Sequence, residues 1–274
     1  MALRQRRQSG LGALSADRVP GSWAAGAVSG GVSVIRWVSA CIDRPVGELG
    51  VAAEFWSAVT GCGIRAENVA GFVGLTSSDS DEWLEIQGVH SGSGGVHLDL
   101  SVDDVRVFSE RAVAAGASVV ADHGVWRVLA SPAGLLFCVA PWKGESRRPR
   151  PFRDPAGGVS RVHQVCLDVP PSRFDAEVDF WASITGWERD VSGLPVFSRL
   201  WPVVPVPVRV LFQRLGEERA ASAHLDVASA DRPATRGWHE TLGAVFVGEW
   251  PAWTTMRDPA GGVYCLTRGD PTVE

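Results

Sequence analysis

Tyrosine occurs once in this 274-residue chain and methionine twice, so bulky apolar contacts fall to ten phenylalanines and twelve tryptophans. Positive charge is also short: 26 Lys and Arg against 31 Asp and Glu leave a formal net charge of −5. No basic field draws in nucleic acid or anionic lipid, so neither nucleic acid nor a membrane is expected as a partner. The basic stretches present, LRQRRQ near the start and Arg147, Arg148 and Arg150, read as solvated tail and linker. Five cysteines, at 41, 62, 138, 166 and 265, form no CxxC pair. An odd count without that spacing argues against a secreted disulfide framework and a zinc knuckle, and a reducing cytoplasm fits best. No apolar run reaches the length of a bilayer span. Residues 1–32 are rich in Gly, Ala, Ser and Arg without a continuous apolar stretch, and read as a disordered extension.

What is present is repetition. RDPAGGV occurs at 153–159 and again at 257–263, 257 − 153 = 104 positions apart. Other pairs disagree with that spacing. Phe55-Trp56 and Phe180-Trp181 lie 125 apart, as do Thr60-Gly61 and Thr185-Gly186. His97-Leu98-Asp99 and His224-Leu225-Asp226 lie 127 apart. The same 127 separates Gly116-Ala117 from Gly243-Ala244, Trp126 from Trp253, Pro132-Ala133-Gly134 from Pro259-Ala260-Gly261, and Cys138 from Cys265. Their agreement marks a duplicated chain. The first RDPAGGV is out of register, inside the linker GESRRPRPFRDPAGG. The expected boundaries are an extension over 1–32, domains over 33–142 and 160–269, and a linker over 143–159.

Both repeats read alike. A strand (34–42; 162–169) leads to an amphipathic helix, with Val51, Phe55 and Val59 on one face of the first and Phe174, Val178, Trp181 and Thr185 on the second. Thr-Gly closes each helix, glycine suiting the left-handed C-terminal position. Two short strands follow, ending in 83–87 and 208–213. The pattern then restarts with a strand (96–102; 223–228), a helix ending in Ala-Gly-Ala or Leu-Gly-Ala, and a hairpin bearing the Pro-Ala-Gly turn. Asp231 with Pro233 marks a helix start. The prediction is α+β, with two β-α-β-β-β modules in each half.

This order, with HLDL-SVDD, GVW-VL-SPAG-LFCV, VLFQRL and WTTMRDPAGGVYCL, resembles the vicinal oxygen chelate superfamily, in its glyoxalase-like and bleomycin-resistance-like branch. The resemblance implies two tandem glyoxalase-like domains, each an incomplete barrel around a central cleft. It also implies a divalent metal in enzymes of the family, held by groups on the first, fourth, fifth and last strands. Activities range from lyases and isomerases to binding without catalysis, so fold does not settle function.

Strand alternation sorts the candidate groups by face. His97, Asp99 and Ser101 should point into the first cleft, His224 and Asp226 into the second. In VHQVCLDV, Gln164, Cys166 and Asp168 share the cleft face, while His163 falls on the apolar side. Gln164 then holds the first-strand ligand position, and Trp37 is its counterpart in the first half. Cys138 and Cys265 stand where the resemblance implies Glu. The fourth strand offers Glu85 and Gln87 in one half, and Gln213 in the other. A two-His-one-carboxylate site needs three good ligands on one face, so no metal is favoured. If a divalent metal binds, Glu85, His97, His224 and Cys265 are its candidate ligands. Trp126 and Trp253 stand in the hairpins near each cleft mouth, and Trp201, Trp250 and Trp253 form a candidate apolar wall. The favoured reading is a small-molecule-binding protein of sequestration type, monomer or homodimer. A metal-dependent or Cys/His-assisted lyase or isomerase and a non-catalytic structural module are the alternatives.

Overall fold

The computed structural model describes residues 33–67, 71–90, 92, 94–190 and 194–272. The expected extension over 1–32 lies outside the described residues. The first half runs β1 (Ile35–Pro45), α1 (Leu49–Thr60), β2 (Gly63–Ala66), β3 (Phe72–Thr76), β4 (Leu84–Val89), then β5 (Gly95–Val102), α2 (Val105–Ala114), β6 (Ser118–Asp122), β7 (Arg127–Ala130) and β8 (Leu136–Pro141). A two-residue strand, β9 (Phe152–Arg153), precedes the second half. That half is β10 (Val159–Val169), α3 (Phe174–Thr185), β11 (Glu188–Asp190), β12 (Phe197–Trp201), β13 (Arg209–Arg214), β14 (Ser222–Ser229), α4 (Arg232–Thr241), β15 (Val245–Glu249), β16 (Trp253–Arg257) and β17 (Val263–Arg268).

Each half is therefore two βαβββ modules in one open sheet. The strand orders are β2-β3-β4-β1-β5-β8-β7-β6 and β11-β12-β13-β10-β14-β17-β16-β15, with β9 pairing to β10. The modules of each half meet where β1 runs antiparallel to β5, and β10 to β14. No helix among the described residues is long and apolar enough to cross a membrane.

The local signals act as their chemistry requires. Gly61 and Gly186 end α1 and α3 at φ 69° and 68°, where a side chain would be strained. Asp104 and Asp231 cap α2 and α4, accepting from Val107 N and Ala234 N. The face of α1 is rotated from expectation. Val51 is exposed, and Ala52, Phe55, Trp56 and Val59 make the buried stripe.

That stripe is buried across the halves. Phe55 packs on His239 of α4 and Tyr264 of β17, and Trp56 lies edge-on to Tyr264 at 5.3 Å. Reciprocally, Phe137 of β8 packs on Phe180 and Trp181 of α3. Polar anchors follow the same exchange. Arg44 of β1 donates to Asp258 Oδ2 at 2.6 Å through Nη2 and 3.1 Å through Nε, and Trp56 Nε1 donates to the same oxygen. In the other direction, Glu177 of α3 accepts from Ala133 N and from Trp181 Nε1, each at 2.8 Å.

The two out-of-register RDPAGGV copies fold into the same turn. Asp154 N donates to Gly158 O at 2.9 Å, and Asp258 N donates to Gly262 O at 2.8 Å. Arg153 and Arg257 each bond the first glycine's carbonyl, and those glycines sit at φ 92° and 90°. The first copy joins β9 to β10; the second joins β16 to β17 and carries the inter-half anchor.

Candidate functional site

Each sheet curls around a floor built from four neighbouring strands. In the first half, Cys41 of β1 lies opposite His97 of β5, and Asp99 opposite Cys138 of β8. In the second, Cys166 of β10 lies opposite His224 of β14, and Asp226 opposite Cys265 of β17. Asp43 and Asp168 lie beside Gln87 of β4 and Gln213 of β13. Both floors thus carry one histidine, two aspartates, two cysteines and a glutamine at matching positions.

The polar connections match too. His97 Nδ1 is 2.8 Å from Asp43 Oδ2, and its Nε2 is 3.4 Å from Asp99 Oδ1. His224 Nδ1 is 3.0 Å from Asp168 Oδ2, and its Nε2 is 3.5 Å from Asp226 Oδ1. Cys265 Sγ also lies 3.5 Å from His224 Nε2. Burial alone would push both imidazoles down. For His97 the Asp43 carboxylate overrides it, and for His224 the bonds to Asp168 and Cys265 do, holding both well above the ordinary histidine value. Burial pushes the Cys138 thiol up to about 12, and Cys41 and Cys166 well above their usual range.

The clefts above these floors differ. In the first half Trp126 is buried, stacks on His123 with centroids 4.0 Å apart, and packs on Val128 and Cys138. Among the described residues it lines two small spaces. A void of about 10 Å³ touches Cys41, Phe72, Gln87, His97, Asp99 and Cys138. The other, about 60 Å³, includes Ser39, Glu85 and Asp99. In the second half the matching Trp253 stacks on Trp250 at 5.6 Å and meets Phe197 edge-on. A cavity of about 290 Å³ remains over Gln164, Cys166, Gln213, His224, Asp226 and Cys265. Its walls include Leu194, Phe197, Leu211, Ala252 and Trp253, with Arg199 and Arg268 also facing it.

Three sequence expectations change. His163 is no apolar-face residue: the β10–β14 register slips between Val162 and Gln164, and the bulge turns His163 to the cavity. There its Nε2 lies 3.1 Å from Thr267 Oγ1. Burial, with Arg209, Arg161 and Arg199 nearby, lowers its pKa to about 3. The counterpart of Gln164 is Ser39, not Trp37: Ser39 faces Asp99 as Gln164 faces Asp226, and Trp37 is core, bonded to Glu82 O. Trp201 leaves the aromatic wall and lies between Arg199 and Arg209. Glu85 pairs in register with Cys41 but lines the space that holds Ser39, not the void over Cys41 and Cys138. The sequence placed Cys166 and Asp168 on the cleft face without a role, and Cys41 and Asp43 were passed over. Cys-x-Asp recurs at 41–43 and 166–168, 166 − 41 = 125 apart, the offset already shown by Phe-Trp and Thr-Gly.

Three groups of described residues have ligand atoms within 4.8 Å of one another: Cys41, Asp43 and His97; His97, Asp99 and Cys138; Cys166, His224 and Asp226. Each is one imidazole, one carboxylate and one thiol. Manganese and iron favour oxygen and nitrogen donors, and a thiol must lose its proton to bind any metal. The Gln164 amide is spent donating to Asp226 Oδ2 at 2.6 Å. A thiol in every group is an unusual donor for manganese or iron, while the imidazole and carboxylate beside it suit a divalent metal.

The profile of the glyoxalase-like domain family matches residues 39–140 and 164–267. None of the curated proteins matches the sequence. Solved structures match in fold. A Mn(II)-bound glyoxalase from Novosphingobium aromaticivorans superposes with TM-score 0.64 at 15% identity, over 86% of this chain and 83% of that one. A 2,3-dioxygenase from Pseudomonas sp. KL28 gives 0.59 at 11%, over 87% and 94%. The 2,2',3-trihydroxybiphenyl 1,2-dioxygenase of Sphingomonas wittichii gives 0.59 at 14%, over 87% and 91%.

Proposed function

The chain belongs to the glyoxalase-like domain family, in two tandem copies, and from that premise we propose that its second half binds a small, largely apolar organic molecule without a resident manganese or iron ion. The observation that carries this reading is the contrast in open volume: about 290 Å³ over the second floor, against about 10 and 60 Å³ in the first. The larger cavity is at the lower end of small-molecule sites, which run from roughly 300 to 1,000 Å³. Its aromatic and aliphatic walls remove apolar surface from water, at roughly 25 cal/mol per Å². Few polar groups set orientation. Asp226 Oδ1 is buried with no hydrogen bond closer than the 3.5 Å approach of His224 Nε2. Arg199 and Arg268 suit an acceptor or anionic end. The first half serves as packing partner: its α1 closes the back of the second sheet.

The probe 1-naphthoate, an apolar ring with one carboxylate, tests this. It should bind one molecule per chain and quench tryptophan fluorescence. At a hundredfold excess over Kd it should add about 2.7 kcal/mol, raising the melting temperature by roughly 5–10 °C. Leu211→Trp, which fills the cavity, should weaken binding at least tenfold. Two equal sites, or binding indifferent to Leu211→Trp, would refute the assignment to the second cleft.

A further inference from the structure

We propose that Cys265 is a nucleophile of the second cleft, adding to α,β-unsaturated carbonyl compounds with His224 as its proton acceptor and Asp168 as the residue that orients His224. The proposal rests on the reading of this cleft as a small-molecule site. Three facts of geometry support it. Cys265 Sγ, His224 Nε2, His224 Nδ1 and Asp168 Oδ2 form a continuous chain, with gaps of 3.5 Å and 3.0 Å on either side of the ring. Nucleophile, base and orienting carboxylate in that order are what activation of a thiol requires. Cys265 and His224 both line the open cavity, where an electrophile can reach sulfur. Thr255 Oγ1, 3.6 Å from Cys265 Sγ, is a second polar neighbour for the thiolate.

The step balances within the cleft. The Cys265 thiol proton rests on His224 Nε2 as a thiolate–imidazolium pair, and the imidazolium lies between the Asp168 and Asp226 carboxylates. The thiolate bonds to the β-carbon of the ligand, and the carbon–carbon π pair shifts toward the carbonyl as an enolate. His224 then returns its proton to the α-carbon. One C–S and one C–H bond form, one C=C π bond and the imidazolium N–H bond break, and nothing is released or consumed besides the ligand. An addition of this kind needs no leaving group and no second substrate, which suits a cavity sized for one small molecule. Arg199 on the wall can hold the carbonyl oxygen.

The first half provides an internal control. Cys138, His97 and Asp43 repeat the three residue types at matching positions, but Trp126 closes the space above them. Cys166 controls for access alone: it lines the open cavity, yet its Sγ faces Gln213 Oε1 at 3.8 Å.

The test is a brief exposure of the native full chain to N-ethylmaleimide, itself an α,β-unsaturated carbonyl compound, followed by peptide mass mapping. Cys265 should be alkylated at least tenfold faster than Cys41, Cys62, Cys138 or Cys166. Asp168→Asn should slow Cys265 about tenfold without slowing Cys166. In the unmodified protein, excess 1-naphthoate should protect Cys265, an outcome that needs no variant to fold. If Cys265 reacts no faster than Cys166 while 1-naphthoate still binds, the nucleophile proposal falls and the cleft reading stands. If neither maleimide nor naphthoate engages the second half, both fall.

Discussion

Arg44→Met lowers the melting temperature by about 10 °C. The guanidinium and the Asp258 carboxylate are almost wholly buried, at 2% and 0% side-chain exposure, and join residues of different halves. Removing one partner of such a pair leaves a buried charge without compensation, which costs roughly 3–5 kcal/mol. In a chain of this size each kcal/mol moves the melting temperature by about 2–4 °C. Trp56 Nε1 remains as a donor to Asp258, but a neutral donor does not neutralise the charge. Removing both charges with Arg44→Met and Asp258→Leu should recover much of the loss, because the interior then holds no ion. Gly262 supports the same picture, since a Cβ there would overlap the Arg44 guanidinium. Calorimetry of the single and double variants decides the matter. A single variant melting within about 2 °C of the parent would show that the anchor contributes little.

Acid weakens the protein through His239. This imidazole is fully buried, with Nδ1 2.9 Å from the Tyr264 hydroxyl and its ring edge-on to Phe55 of the other half. Burial lowers its pKa from 6.5 to about 4. The unfolded chain therefore takes up this proton before the folded one does. Below pH 6.5 the unfolded state binds more protons, so stability falls as pH drops, and the fall continues to about pH 4. A difference of about 2.5 pH units corresponds to roughly 3 kcal/mol. His239→Gln keeps a partner for Tyr264 and cannot charge. Denaturant midpoints from pH 7 to pH 4 should fall more steeply in the parent, by about 3 kcal/mol in total. Parallel profiles would contradict the assignment.

Much of the fold was legible because a duplication states its own alignment. The 125–127 offset located both pairs of modules, and the Thr-Gly pairs and Asp231 located helix ends. Alternation along β5 and β14 identified the faces of His97 and His224, because both strands keep a regular register there. It failed at His163, where one bulged residue reverses the parity. Nothing in VHQVCLDV announces a bulge, which depends on pairing with a strand some sixty residues away. The closure of one cleft and not the other was equally hidden. Trp126 and Trp253 are the same residue at matching positions, yet one stacks on His123 and the other on Trp250. The Arg44–Asp258 anchor spans 214 positions and arises only when the halves dock.

The most direct test of a second cleft that binds organic molecules without manganese or iron is metal content. Inductively coupled plasma mass spectrometry on untagged protein, purified without chelators, should find traces well below one ion per chain, with 1-naphthoate affinity unchanged by added Mn(II) or Fe(II). Close to one manganese or iron per chain, lost together with function in Cys265→Ser or His224→Gln, would contradict it and make the second floor a metal centre.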